Sequence, residues 1–252
     1  MQATTLLGLS YYGAKDFEDA VKYLEPAAAA DPENEELHKT LAQSCLSAKN
    51  YPCAREEFEK LERLNPDSSA IHLLTAEALD GEGKTLEAID EVKIALKLTP
   101  KEPNLNFVLG HLYWESEKYD DAVPAFEAEL LIEPKNAMAI AYLGDITMKR
   151  GDNQKALALL RRAVALQDNV RLAFIDIGSI LVDQEQYKDA LPAFQQAIKL
   201  DPTETDAHFR LGHVYQTLGD NAAAQREFAK VRELKQKHDQ AIASKLANKS
   251  AN

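Results

Sequence analysis

His111, Asp145, Ser179 and His213 follow one another at intervals of 34 residues, and together they supply a hydroxyl nucleophile, an imidazole base and a carboxylate that could orient it. His111, Asp145 and His213 are also the donor types of a zinc site. Spacing argues against both chemistries. Residues at equivalent points of successive helical elements lie about 8–10 Å apart, whereas triad partners meet at about 2.6–3.2 Å and zinc ligands sit about 2.0–2.2 Å from the ion. Gly81-Glu82-Gly83-Lys84-Thr85 ends like a phosphate-binding loop, but the first glycine of that motif is replaced by Ala78 and no strand precedes it. The chain is therefore expected to carry no catalytic residue, metal site or cofactor. His38, His72 and His208 recur in another slot and are expected to pack with a satisfied nitrogen. Cys45 and Cys53 are either two small buried hydrophobes or a disulfide that implies an oxidising compartment. Asn248-Lys249-Ser250 is a lone glycosylation sequon in a polar tail.

The interval that spaces these residues runs through the whole chain. Gly8, Gly110, Gly144, Gly178 and Gly212 share one phase with Ala42 and Ala76, and Ala20, Ala54, Ala88, Ala122, Ala156, Ala190 and Ala224 share another. Pro32, Pro66, Pro100, Pro134 and Pro202 form a third series, broken at Asp168 and Gln236. Leu7, Leu41, Leu109, Leu143 and Leu211, with Phe58, Phe126, Phe194 and Phe228, complete the pattern. Within residues 103–136, apolar residues recur at helical spacing over Pro103–Trp114 and again over Asp120–Ile132. Each repeat is thus two helices. Gly110 and Ala122 are expected where the two cross, the late proline stops the second helix, and Pro52 and Pro103 open helices. Gly83, Gly151 and Gly219 share the turn between the helices, where an αL stop is expected.

These slots resemble the tetratricopeptide repeat. The resemblance covers seven consecutive repeats, 1–34, 35–68, 69–102, 103–136, 137–170, 171–204 and 205–238, followed by a capping helix extension and polar tail over 239–252. It implies an all-α fold, a right-handed solenoid of antiparallel helix pairs in which each pair buries its apolar faces on its neighbours. One array without a linker is expected, with its weakest turn at Gln167-Asp168-Asn169-Val170, where the stop proline is missing.

The resemblance also places the first helix of each repeat along a concave groove. The groove residues it selects are Phe107, His111 and Trp114 from the fourth repeat, Tyr142, Asp145 and Met148 from the fifth, Ile175, Asp176 and Ser179 from the sixth, and Arg210 and His213 from the seventh. Some of these are alternatively core residues packed on the neighbouring helix. Across all the groove slots, eight acidic side chains face three basic ones. Apolar walls in an acidic field suit an extended or helical peptide with apolar anchors and neutral or basic character. The acidic C-terminal tails of heat-shock chaperones are excluded as ligands, because the positions that would hold them carry Ala141, Asp145, Asp176 and Asp206, and Arg210 alone matches.

Composition is consistent with that reading. The chain has 29 basic and 41 acidic residues, a net charge of −12, which disfavours nucleic acid and anionic lipid as partners. No stretch is apolar enough for membrane insertion. A soluble chain is expected, in the cytoplasm, or in the periplasm or outside the cell if a leader was removed. The function expected is a non-enzymatic adaptor or scaffold that binds a protein segment. The alternative is a self-assembling scaffold, a homodimer or larger homo-oligomer through the array ends, where Leu6 opens the first repeat and Ile242 and Leu246 begin an incomplete eighth.

Overall fold

A computed structural model describes residues 2–250, with side chains described through residue 244. Leu246 and the Asn248-Lys249-Ser250 sequon therefore lie outside the described side chains. The described residues form helices joined by short turns, with no strand among them, and the chain falls into two compact units, Met1–Pro134 and Lys135–Asn252. The first holds α1 (Gln2–Gly13), α2 (Phe17–Ala30), α3 (Glu35–Ser47), α4 (Tyr51–Leu64), α5 (Ser69–Gly81), α6 (Thr85–Leu98), α7 (Leu105–Glu115) and α8 (Tyr119–Ile132). The second holds α9 (Ala137–Lys149), α10 (Asn153–Leu166), α11 (Arg171–Asp183), α12 (Tyr187–Leu200), α13 (Thr205–Thr217) and α14 (Asn221–Ser250). In each unit every odd-numbered helix pairs with the next, and each pair packs on the following pair. This is the all-α arrangement of stacked helix pairs read from the 34-residue period.

Local signals explain most boundaries. Asn34, Ser68, Asn136 and Asp152 accept hydrogen bonds from the backbone N–H three residues on, satisfying donors that a helix start leaves unpaired. α2, α4, α6, α8 and α12 each end two residues before a stop proline. The two places without that proline behave differently. α10 still ends at Leu166, and buried Val170 anchors the turn into α11. At Gln236 the helix reads through, so that α14 continues to Ser250 and no eighth helix pair starts within it. The division between units falls after Pro134, one repeat before the turn that sequence had marked as weakest.

The turn slot shared by Gly83, Gly151 and Gly219 is left-handed in every repeat. Lys15, Lys49, Glu117 and Glu185 occupy it with φ of 61°, 58°, 57° and 60°, a conformation that costs a side-chain-bearing residue about 1–2 kcal/mol. The glycines expected at the helix crossings face a side chain of the partner helix. A Cβ at Gly110, Gly178 or Gly212 would lie 2.7–2.8 Å from the ring of Phe126, Phe194 or Phe228. The glycine makes room for an aromatic ring on the partner helix, and the alanine series on that partner helix, Ala20 to Ala190, is fully buried.

Pro103 does not open its helix. α7 starts at Leu105, and Asn104 before it has φ 70°. The cause is Glu129, fully buried on α8, whose carboxylate accepts from the N–H of Asn104 at 2.9 Å and of Phe107 at 3.2 Å. A carboxylate from the partner helix thus caps α7 and meets the positive end of its dipole. Cys45 and Cys53 are joined by a disulfide, Cα–Cα 5.7 Å, linking α3 to α4. That replaces the reading of two unlinked hydrophobes.

The recurring histidines form a motif of their own. His38, His72 and His208 are buried, and each Nδ1 meets a carboxylate nineteen residues on, Glu57, Glu91 (2.7 Å) and Glu227 (2.6 Å) respectively. His72 and His208 also place Nε2 against the carbonyls of Pro66 and Pro202. His38 Nε2 is buried without a partner.

Candidate functional site

In the second unit α11, α12 and α13 enclose a pocket of about 330 Å³. Its floor is apolar: Val182 and Val214 with Tyr187, Phe194 and Phe209. Its polar lining is Ser179, Asp183, Asp206, Arg210, His213 and Thr217. Helical spacing on α11 and α13 gathers these residues, since side chains three and four positions apart share a face. Arg210 fixes the polar side. Its Nε donates to both oxygens of Asp206, at 3.0 and 2.9 Å, and its Nη1 donates to Ser179 Oγ at 3.0 Å, bridging α13 to α11.

Phe209 is 49 % exposed and meets the His213 ring edge-on at 4.4 Å, with Phe228 5.1 Å behind His213. An exposed aromatic held by edge-to-face ring contacts offers a contact face that loses little entropy on binding. Arg210 already neutralises Asp206, so Asp183 is the acidic group in the lining that favours a cationic or neutral guest.

In the same unit, Asp145 is buried and paired with Lys149. Asp176 is 4 % exposed and its Oδ2 has no hydrogen-bond partner. Burial, then the nearby Asp145 carboxylate, pushes the Asp176 carboxyl up to about 8, against the opposing pull of Lys149 and Arg210.

The structure sorts the residues selected from sequence into three groups. Ser179, Arg210 and His213 come together around the pocket. Tyr142, Asp145, Ile175 and Asp176 are buried in the second unit, and Met148 is partly buried. Phe107, His111 and Trp114 belong to the first unit, where they are partly buried and stack along one face of α7, with centroid separations of 6.2 and 5.9 Å. Ser179 Oγ donates to the Ile175 carbonyl at 2.8 Å as well as accepting from Arg210. Tyr187, Phe194 and Val214 were not selected because two lie on the second helix of the pair and the third falls outside the groove slots. The alternation of glycine with phenylalanine sixteen residues on, as in Gly178 and Phe194, was the available signal. A hollow of about 620 Å³ in the first unit, lined among others by Lys39, Phe58, Leu61, Ile71 and Leu74, was also not singled out.

Fold and surface together define a helix-pair repeat protein. Four tetratricopeptide repeat family profiles match, over residues 11–78, 107–170, 178–219 and 205–243. The chain belongs to the tetratricopeptide repeat family. Anaphase-promoting complex subunit 3 of Schizosaccharomyces pombe is 23 % identical over 219 residues, covering 86 % of this chain and 33 % of that protein. The chain spans about a third of the length of the curated relatives it matches. Among solved structures, a tetratricopeptide repeat protein from Parabacteroides merdae superposes with a TM-score of 0.75 at 14 % identity, covering 92 % of each chain. YrrB, a TPR protein with an unusual peptide-binding site, is 25 % identical with a TM-score of 0.52, covering 76 % of this chain and 99 % of that one. Among the described residues no helix is long and apolar enough to cross a membrane.

Proposed function

We propose that this chain is a non-enzymatic protein-interaction module, and that the α11–α13 pocket takes an apolar side chain of a partner's peptide segment flanked by a basic residue. The observation that carries this reading is the half-exposed Phe209 in an apolar pocket that Asp183 also lines. The volume, about 330 Å³, stands at the small end of ligand sites, about 300–1,000 Å³, and suits a large side chain better than a whole cofactor. The peptide-binding site named for YrrB supports the same class of ligand. Binding rather than catalysis fits Ser179, whose hydroxyl is held by the Ile175 carbonyl and Arg210. Tyr142, Ile175 and Asp176 act in this reading as the support beneath the pocket, and Phe107, His111 and Trp114 as a second aromatic surface in the first unit.

Selection of a random peptide library displayed on phage against the immobilised chain tests it. Enrichment of sequences sharing an aromatic or aliphatic residue beside Lys or Arg supports the reading. Enrichment of acidic sequences, or none, counts against it. Self-association is the second reading, supported by Leu6, Leu7 and Leu9 of α1, which are 65 %, 41 % and 40 % exposed. A sedimentation mass that stays monomeric at every concentration excludes it.

A further inference from the structure

One of the three histidine–glutamate pairs differs from the others. Ten residues before His38 and His208 stand Ala28 and Ile198, whereas ten before His72 stands Glu62. Glu62 reaches from α4 to the His72–Glu91 pair of α5 and α6, with His72 Nδ1 3.8 Å from Glu62 Oε1 and 2.7 Å from Glu91 Oε2. One donor atom from each of the three residues lies within 4.8 Å of the other two.

Two features make this more than a third acceptor for a histidine. His72 Nε2 faces the Pro66 carbonyl at 3.1 Å; in the neutral ring Nε2–H donates there, which turns the Nδ1 lone pair toward both carboxylates. Fixing the tautomer through the second ring nitrogen is how proteins orient a metal-binding imidazole. The Thr75 hydroxyl donates to Glu62 Oε1 and fixes that carboxylate in the same way. Charge is the second feature. Among the described residues neither Glu62 nor Glu91 has a Lys or Arg partner, although their side chains are only 20 % and 22 % exposed. In the His38 pair, by contrast, Lys60 neutralises Glu57. Clustered carboxylates shielded from water call for a compensating cation, which here is either a protonated His72 or a bound metal ion.

We propose that Glu62, His72 and Glu91 form a binding site for a zinc-type divalent cation that joins the second and third repeats. Ligands about 2.0–2.2 Å from a tetrahedral zinc ion stand about 3.4 Å from one another. The two distances from His72 Nδ1, 2.7 and 3.8 Å, bracket that value, so side-chain rotation suffices to admit the ion. Partial exposure of both carboxylates leaves water to complete the coordination.

The test is a zinc titration of the full chain, stripped with chelator, read by calorimetry and by the shift in melting temperature. The wild type is expected to bind one equivalent. Glu62→Gln preserves the His72–Glu91 pair found in the other repeats and is expected to weaken binding at least tenfold. Glu62→His, which restores a zinc ligand, is expected to recover it, with circular dichroism checking that both variants fold. Absence of binding to the wild type, or equal binding by Glu62→Gln, would overturn the proposal and leave Glu62 as a second partner for a protonated His72.

Discussion

Asp176 shows most directly how one residue's surroundings set its chemistry. The unfolded chain releases its proton near the ordinary value of 3.8, while the folded chain holds it up to about 8. Between those limits the native state binds more protons than the unfolded state, so this group makes stability fall as pH rises from about 4 to about 8 and adds nothing further above that. Asp176→Asn, which cannot ionise beside Asp145, is expected to flatten that slope and to stabilise the chain at pH 8 by roughly 1–3 kcal/mol. Melting temperatures of both proteins between pH 4.5 and 8.5 test it, and parallel curves would rule it out. Sequence placed Asp176 on the groove but held no sign of its burial, because burial depends on how α9, α11 and α13 pack. The histidine motif is legible in the sequence. Glutamate stands nineteen residues after His38, His72 and His208, while Tyr23, Ala125, Leu159 and Ala193 fill that position in the other repeats. Comparison of the repeats with one another already pairs the two residues.

At the scale of the element, period and caps placed nearly every helix, and the exception had a physical cause. Glycines, prolines and cap residues act within a few positions of themselves, so they are visible in sequence. Glu129 acts from twenty-five residues away on the start of α7, in a slot where the other repeats carry alanine, leucine or valine. Glu129→Ala removes the acceptor of two backbone N–H groups and is expected to destabilise by about 2–4 kcal/mol, measured by urea denaturation. A loss below about 0.5 kcal/mol would mean that water caps α7 equally well. The left-handed turn slot allows the opposite change. Glu185→Gly relieves a strained φ of 60° at some cost in chain entropy and is expected to raise stability by about 0.5–1 kcal/mol, whereas a decrease would show that the Glu185 side chain contributes more than its backbone costs.

For the molecule as a whole, the repeat dictated the architecture, because helix pairs that cannot bury their apolar faces alone must stack. The period could not reveal the division after Pro134, since that turn carries the same stop proline as the turns at Pro32, Pro66, Pro100 and Pro202. Nor could it choose between free thiols and the Cys45–Cys53 disulfide, which depends on the approach of α3 to α4. Closing so short a loop stabilises by about 2 kcal/mol, so reductant is expected to lower the denaturation midpoint of the wild type but not of Cys45→Ala. An identical midpoint with and without reductant would contradict it.

Whether the α11–α13 pocket binds a partner's side chain is best decided by a calorimetric titration. The probe is the peptide most enriched in the display selection, measured against the wild type, Phe209→Ala and Leu131→Ala, whose side chain is 87 % exposed on α8. The expected result is at least a tenfold loss of affinity, about 1.4 kcal/mol, for Phe209→Ala and none for Leu131→Ala. Equal affinity for all three proteins would contradict the assignment of this pocket as the binding site.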